Sequence, residues 1–136
     1  MKLKKNRIIT AGLALLFILS FLMPALQGPL GIKLNGFSVF GANIATVVFA
    51  EDFYDYILFL HTALTNAWVV LLLIWSLRGK VKTVPTLILS FLSFTSALSW
   101  KFNMEGDQVL LMGYWLWVIS IVLIISFAIY RSFRNP

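Results

Sequence analysis

The sequence contains no cysteine and few charged residues. Without cysteine, the chain has neither disulfide bonds nor thiolate ligands for a metal. Charged residues make up 12% of its 136 residues, against roughly 25% in soluble globular domains. Hydrophobic residues reach 60% and include twelve Phe, five Trp and four Tyr, more than a soluble core of this size can bury. This composition predicts an integral membrane protein with a single domain over residues 1–136.

Four apolar stretches are long enough to cross a bilayer as helices. The hydrocarbon core is covered by about 20 apolar residues, and the stretches are residues 8–26, 56–77, 84–100 and 109–130. Because the bilayer core offers no water to the backbone, each stretch should be helical rather than extended. The last three stretches are joined by short links, which make them antiparallel neighbours. We therefore expect an all-α protein with four transmembrane helices in an antiparallel bundle.

The basic residues predict the orientation of this bundle. Nine of the eleven Lys and Arg residues lie before the first stretch, between the second and third, or after the fourth. All five acids lie in the two segments on the other side. By the positive-inside rule, both termini are cytoplasmic, in a cell inner membrane. The membrane orientation accounts for the excess of basic residues, so this excess does not indicate nucleic-acid binding. A basic N-terminus before an apolar run also resembles a cleaved signal peptide, but we expect the first helix to be retained because the run is long and Gln27 occupies the place of a small cleavage-site residue.

The first outer loop, residues 27–55, is longer than a connector needs to be. It opens with the turn-forming segment Gln27-Gly28-Pro29-Leu30-Gly31 and continues into an apolar run over residues 37–50. This run is too short to span a bilayer. We expect a short interfacial or re-entrant helix, or a hairpin, in this loop.

The second stretch carries the one cluster of polar side chains within a predicted span. On an uninterrupted helix, one arc holds His61, Thr62, Thr65 and Asn66, with Asp55 just beyond the membrane boundary. One interpretation is an outward-facing ligand site with a titratable histidine. The other is that these side chains form hydrogen bonds to neighbouring helices and hold the bundle together.

Small residues recur at helical spacing on the last two stretches. Ser90, Ser93 and Ala97 share one face of the third, and Gly113 and Ser120 share one face of the fourth. Such stripes let another helix approach closely, so they predict helix packing rather than ligand binding.

Catalytic and metal chemistry is not expected. The chain has one His and no acid within any predicted span. The spans therefore lack the residues for a nucleophile activated by a base and for a pair of catalytic carboxylates. The acids of the outer segments could converge on a hard cation, but their spacing matches no known ligand loop; they are Glu51, Asp52, Asp55, Glu105 and Asp107. We expect no metal and no cofactor.

The function that these features favour is that of a non-catalytic accessory or scaffold subunit. Such a protein would contact the lipid bilayer and either other membrane-protein subunits or copies of itself. The alternative is an oligomeric channel or carrier for a small solute, lined by the polar face of the second stretch. A sensor or binder that uses the outer loop is a third hypothesis.

Overall fold

The chain is mostly helical in the computed structural model, as the sequence predicts. The structure describes residues 2–28, 31–49, 52–78, 82–102 and 109–134. Within these ranges, several helical side chains, including those of Asp55 and Thr62, lie outside the description. The helices are α1 (Lys2–Leu22), α2 (Gly36–Val48), α3 (Phe53–Ala63), α4 (Thr65–Arg78), α5 (Thr83–Phe102) and α6 (Met112–Arg134). The strands are β1 (Pro24–Gln27), β2 (Lys33–Asn35) and β3 (Val109–Leu110).

One helix of the described chain, α6, is both long enough and apolar enough to cross a membrane. Shorter apolar stretches occur at Asn6–Leu22, Thr65–Arg78 and Thr83–Ser99. The boundaries also move relative to the sequence prediction, because α1 ends before Pro24 and the last residues of the first apolar run form β1. Proline has no backbone N–H and cannot continue a helix, which accounts for this early end.

The second predicted stretch is two helices rather than one, and the chain turns at Leu64 between α3 and α4. The Ser96 hydroxyl on α5 donates a hydrogen bond of 2.5 Å to the His61 carbonyl. In an uninterrupted helix this carbonyl would accept from the Thr65 N–H. A side chain that enters the ladder of backbone hydrogen bonds bends a helix, and this bond coincides with the turn.

A small sheet, which the all-α expectation did not include, joins the segment after α1 to the segment before α6. Its strands pair in the order β2-β1-β3, and β1 is antiparallel to both neighbours. Gly113 follows β3 and lies directly against β1, so that a Cβ at this position would stand 2.6 Å from the Pro24 carbonyl oxygen. Only glycine allows α6 to begin so close to another backbone.

The outer loop does contain a helix, α2, which follows the β1–β2 hairpin. The Asn35 side chain caps it by accepting a hydrogen bond from the Ser38 N–H at 2.9 Å. The first turns of α2 pack on α1, where the Phe37 and Phe40 rings meet the Phe21 ring with centroids 5.2 and 6.4 Å apart. The rest of α2 pairs with α3 and forms a helical hairpin with it.

Helix α6 lies at the centre of the fold and packs against α1, α4 and α5. Contacts near both ends fix the directions of these helices. Asn66 and Trp117, near the starts of α4 and α6, are hydrogen-bonded, and Ser76 and Arg131, near their ends, are also hydrogen-bonded. Helices α4 and α6 therefore run in the same direction. The core between the helices includes Val69, Leu72, Leu89, Ile121 and Ile124.

Candidate functional site

The imidazole of His61 lies half-buried against α5. Its Nε2 is 3.4 Å from the Thr95 hydroxyl oxygen. The single hydroxyl proton of Thr95 is directed to carbonyls of its own helix, at 2.9 Å from Phe91 and 3.2 Å from Leu92. A threonine hydroxyl has only one proton to donate, and the contact with His61 is the longest of the three at this hydroxyl. The other interhelical contact of His61 is made by its backbone carbonyl, which accepts a hydrogen bond from the Ser96 hydroxyl.

Asn66 faces a different helix. Its Oδ1 accepts a hydrogen bond of 3.0 Å from the indole N–H of Trp117 on α6. Thr65, the preceding residue, is completely buried. Leu64, the residue between α3 and α4, keeps helical backbone hydrogen bonds of 3.0 Å to Leu60 and Trp68.

Two members of the predicted cluster bond to different helices. His61 contacts α5 and Asn66 contacts α6. The side chains of Thr62 and Asp55 lie outside the described residues. His61 and Asn66 thus each have a partner on a neighbouring helix.

A cavity of about 40 Å³ lies where α2 meets α1, α4 and α6. Its walls are mostly apolar and aromatic; they are formed by Ser20, Phe21, Ala25, Gly36, Val39, Phe40, Asn66, Gly113, Tyr114 and Trp117. The polar groups nearest to it are already bonded: the Ser20 hydroxyl donates to the Phe17 carbonyl at 2.6 Å, and the Tyr114 hydroxyl donates to the Ala97 carbonyl at 3.3 Å. Apolar cavities of this kind suit a small apolar group better than an ion.

The two small-residue stripes are covered by the chain's own helices. The predicted packing residues Ser90, Ser93, Ala97, Gly113 and Ser120 are all buried. Helix α5 packs against α4 and α6, and the Ser93 and Ser120 hydroxyls bond to carbonyls of their own helices at 2.8 and 2.7 Å. These stripes therefore offer no free surface to a partner.

The buried residue that the sequence analysis missed is Arg131. We treated it as one of the charges that set the orientation, but only 4% of it is exposed. Its Nη1 donates a hydrogen bond to the Ser76 carbonyl in the last turn of α4, and its guanidinium carbon lies 5.9 Å from the Phe127 ring centroid. A cation suits this position, because the carbonyls at a helix C-terminus carry partial negative charge.

Arg131 continues the buried face of α6. The buried residues of this helix recur every three or four positions, and this spacing continues to Arg131. The buried face includes Trp117, Ile121, Ile124, Ala128 and Arg131. Because α6 is apolar on nearly all of its faces, its sequence alone does not single out this one.

The described part of the chain holds no group of three side chains able to bind a metal ion. Of the five acids considered for a cation site, Glu51, Glu105 and Asp107 lie outside it. Comparison with known proteins finds no family model, no curated protein and no solved structure that the chain matches. The geometry described above is therefore the basis for a functional proposal.

Proposed function

We propose that the chain is a small non-catalytic protein of a cell inner membrane, with four membrane-crossing segments and both termini in the cytoplasm. The segments are α1, α3 together with α4, α5, and α6. In this role it acts as an accessory or scaffold subunit of a larger membrane assembly.

The observation that carries this proposal is the distribution of polar and apolar side chains, because buried hydroxyl groups and exposed large apolar side chains occur together. Fully buried positions between the helices are occupied by hydroxyl side chains such as those of Thr10, Thr86 and Ser96. Large apolar side chains point outward, among them Leu15 on α1 and Phe91 on α5, which is 68% exposed. Soluble proteins bury most large apolar residues, whereas membrane helices pack through small and hydroxyl residues and direct apolar residues to lipid.

The charges support the proposed orientation. The described basic side chains Arg7, Arg78, Lys82, Arg131 and Arg134 all belong to one end of the bundle, which we call the basic end. Basic clusters of this kind remain on the cytoplasmic side of a membrane. At the opposite end are Lys33 and Asp52, both exposed.

The contacts of the polar side chains with neighbouring helices support an accessory role. His61 and Asn66 each contact a neighbouring helix, which is the behaviour of structural groups. One exposed surface available to a partner is the α2–α3 hairpin, whose end carries Val48, Phe49 and Phe53, all more than 70% exposed. Exposed apolar patches of this kind mark contacts with proteins or membranes.

The channel or carrier alternative has less support. A solute path along the second predicted span would need its polar side chains to share one lumen, and two of them bond to different helices. The cavity beside Asn66 is small and mostly apolar.

Single-cysteine labelling in cells tests the membrane assignment, and the absence of native cysteine makes the labelling specific. Lys33→Cys should react with an impermeant maleimide in intact cells, whereas Lys82→Cys should react only after permeabilisation. The chain should also stay with the membrane after an alkaline wash. Release by the wash, or labelling of Lys82→Cys in intact cells, would contradict the proposal.

Site-directed crosslinking tests the accessory role. A photoreactive residue in place of Phe49 should give a discrete crosslink to another protein or to a second copy of the chain. The same residue in place of Leu15 on α1 serves as the control and should crosslink to lipid. Lipid crosslinks alone at both positions would argue against a subunit that uses the hairpin.

A further inference from the structure

The basic end contains a buried charge for which the described chain supplies no counter-ion. Arg131 gives one N–H to the Ser76 carbonyl, and its Nε is buried without a hydrogen-bonding partner. A guanidinium carries five N–H donors in a planar fork. Burying such a charge without an opposite charge is costly.

Acids of the chain are badly placed to supply that opposite charge. In sequence, all five lie before the second turn of α3 or between α5 and α6, and none follows the end of α4 or lies within α6. Asp52, the one acid whose side chain the structure describes, lies just before α3, at the opposite end of the bundle. Among the side chains that the structure describes, none therefore supplies a compensating anion, and an external anion could fill that role.

Exposed bases surround the buried one. Arg78 lies two residues after Ser76, which accepts from Arg131. Lys82 precedes Thr83, whose hydroxyl donates at 3.1 Å to the carbonyl of Ser132, the residue after Arg131. These contacts join the end of α4, the start of α5 and the end of α6 in one small region. An anion there would meet both exposed charges and the buried one.

Exposed apolar side chains adjoin these charges on the same three helices. Leu77, Val84, Tyr130 and Phe133 are all exposed, the last by 65%. A ligand that fits both features has an anionic head and an apolar tail. Free phosphate would satisfy only the charges, and a nucleic acid would place its polar backbone against the apolar side chains.

We propose that the basic end binds the phosphate of an anionic phospholipid, with Arg131 as the buried charge that the phosphate neutralises and the acyl chains along the apolar faces of α4 and α6. This inference rests on the proposed membrane location. Arginine suits the position because its planar fork matches two phosphate oxygens, whereas lysine offers a single point charge. Lipids of the cytoplasmic leaflet include anionic species that attract basic groups.

Lipid titration of the detergent-solubilised full chain tests the site, with tryptophan fluorescence as the readout. The probes are dioctanoyl phosphatidylglycerol, dioctanoyl phosphatidylcholine and inorganic phosphate. The wild-type chain should bind the phosphatidylglycerol at least about tenfold more tightly than the phosphatidylcholine, a ratio typical of one hydrogen bond between charged groups. Inorganic phosphate should bind more weakly than the anionic lipid.

Two arginines of the same helix provide a matched pair of variants. Arg131→Gln should weaken binding of phosphatidylglycerol by about tenfold. Arg134→Gln removes the same charge from an exposed position and should weaken it by no more than about threefold. If Arg131→Gln fails to fold, Arg131→Lys replaces it and should still lose several-fold in affinity, because lysine lacks the planar fork.

The outcomes separate the lipid site from the proposed membrane location. Equal affinity for the two lipids, equal losses in the two glutamine variants, or wild-type affinity in a folded Arg131→Lys chain would overturn the site while leaving the membrane location intact. Inorganic phosphate binding as tightly as the anionic lipid would replace the lipid by a free anion. Release of the chain by the alkaline wash would overturn the proposed function itself.

Discussion

The indole N–H of Trp117 on α6 donates a hydrogen bond to the side-chain oxygen of Asn66 on α4, across 3.0 Å. The bond crosses the interface between two helices that run in the same direction, near their starts. It also fixes which way the Asn66 amide faces, since only the oxygen of that amide can accept. The residue that sequence reasoning proposed as a ligand-binding group therefore bonds to a neighbouring helix.

A double-mutant cycle should measure this bond. Asn66→Leu and Trp117→Phe should each lower the free energy of unfolding in detergent, and the coupling between them should be about 0.6 kcal/mol, the average for hydrogen bonds between membrane helices. Trp115→Phe is the control, because Trp115 is exposed on the same helix. Additive losses with no coupling would show that the bond contributes nothing to stability.

Ser93→Leu should destabilise the fold itself. Ser93 is completely buried, and extra methylenes in a packed interior cost about 1–3 kcal/mol. Phe91→Leu, at an exposed position two residues earlier, should change the melting temperature little. If Ser93→Leu instead kept the wild-type melting temperature and lost only a binding partner, this face of α5 would have to point away from the chain's own helices.

Gly113→Ala should also be destabilising, by about 1–3 kcal/mol. The added Cβ would stand 2.6 Å from the Pro24 carbonyl oxygen and 2.7 Å from that of Met23, and these are backbone atoms that cannot rotate away. Gly12→Ala in α1 is the matched control, because a Cβ there meets nothing within 4 Å. That variant should be neutral or slightly stabilising, since alanine favours helix more than glycine does. Similar melting temperatures for both variants would contradict the close approach of α6 to β1.

Neighbouring hydroxyls on α5 should differ in their contribution to stability. Ser96→Ala removes the bond to the His61 carbonyl and should cost about 0.6–1 kcal/mol in unfolding experiments. Thr95→Val removes a hydroxyl that lies 3.4 Å from the His61 ring and otherwise bonds within its own helix, so a few tenths of a kcal/mol are expected. The opposite order would mean that α5 holds the imidazole of His61 rather than its backbone.

Helix content could be predicted from the sequence because it follows from the length of the apolar stretches. The small sheet could not. Strand β3 has two residues and β1 has four, too few for an alternating pattern to be seen. Their pairing joins Gln27 to Val109, which are remote in sequence.

The polar cluster shows what local reasoning leaves open. Placing His61 and Asn66 on one arc does not tell which helix each of them meets. In the structure they bond to α5 and α6, and nothing in the second stretch itself signals these bonds. Arg131 is a similar case, since α6 is apolar on most of its faces and its sequence does not show which face is buried.

The position of β1 at the centre of the sheet determines the order in which the strands can pair during synthesis. One edge of β1 can pair with β2 almost as soon as both are synthesised, because only five residues separate the two strands in sequence. The other edge waits for β3, which emerges roughly eighty residues later. Until then, the backbone groups on that edge are unpaired and open to pairing with another chain. A polypeptide that stops before β3 therefore keeps one edge of β1 available for pairing with a strand of another molecule.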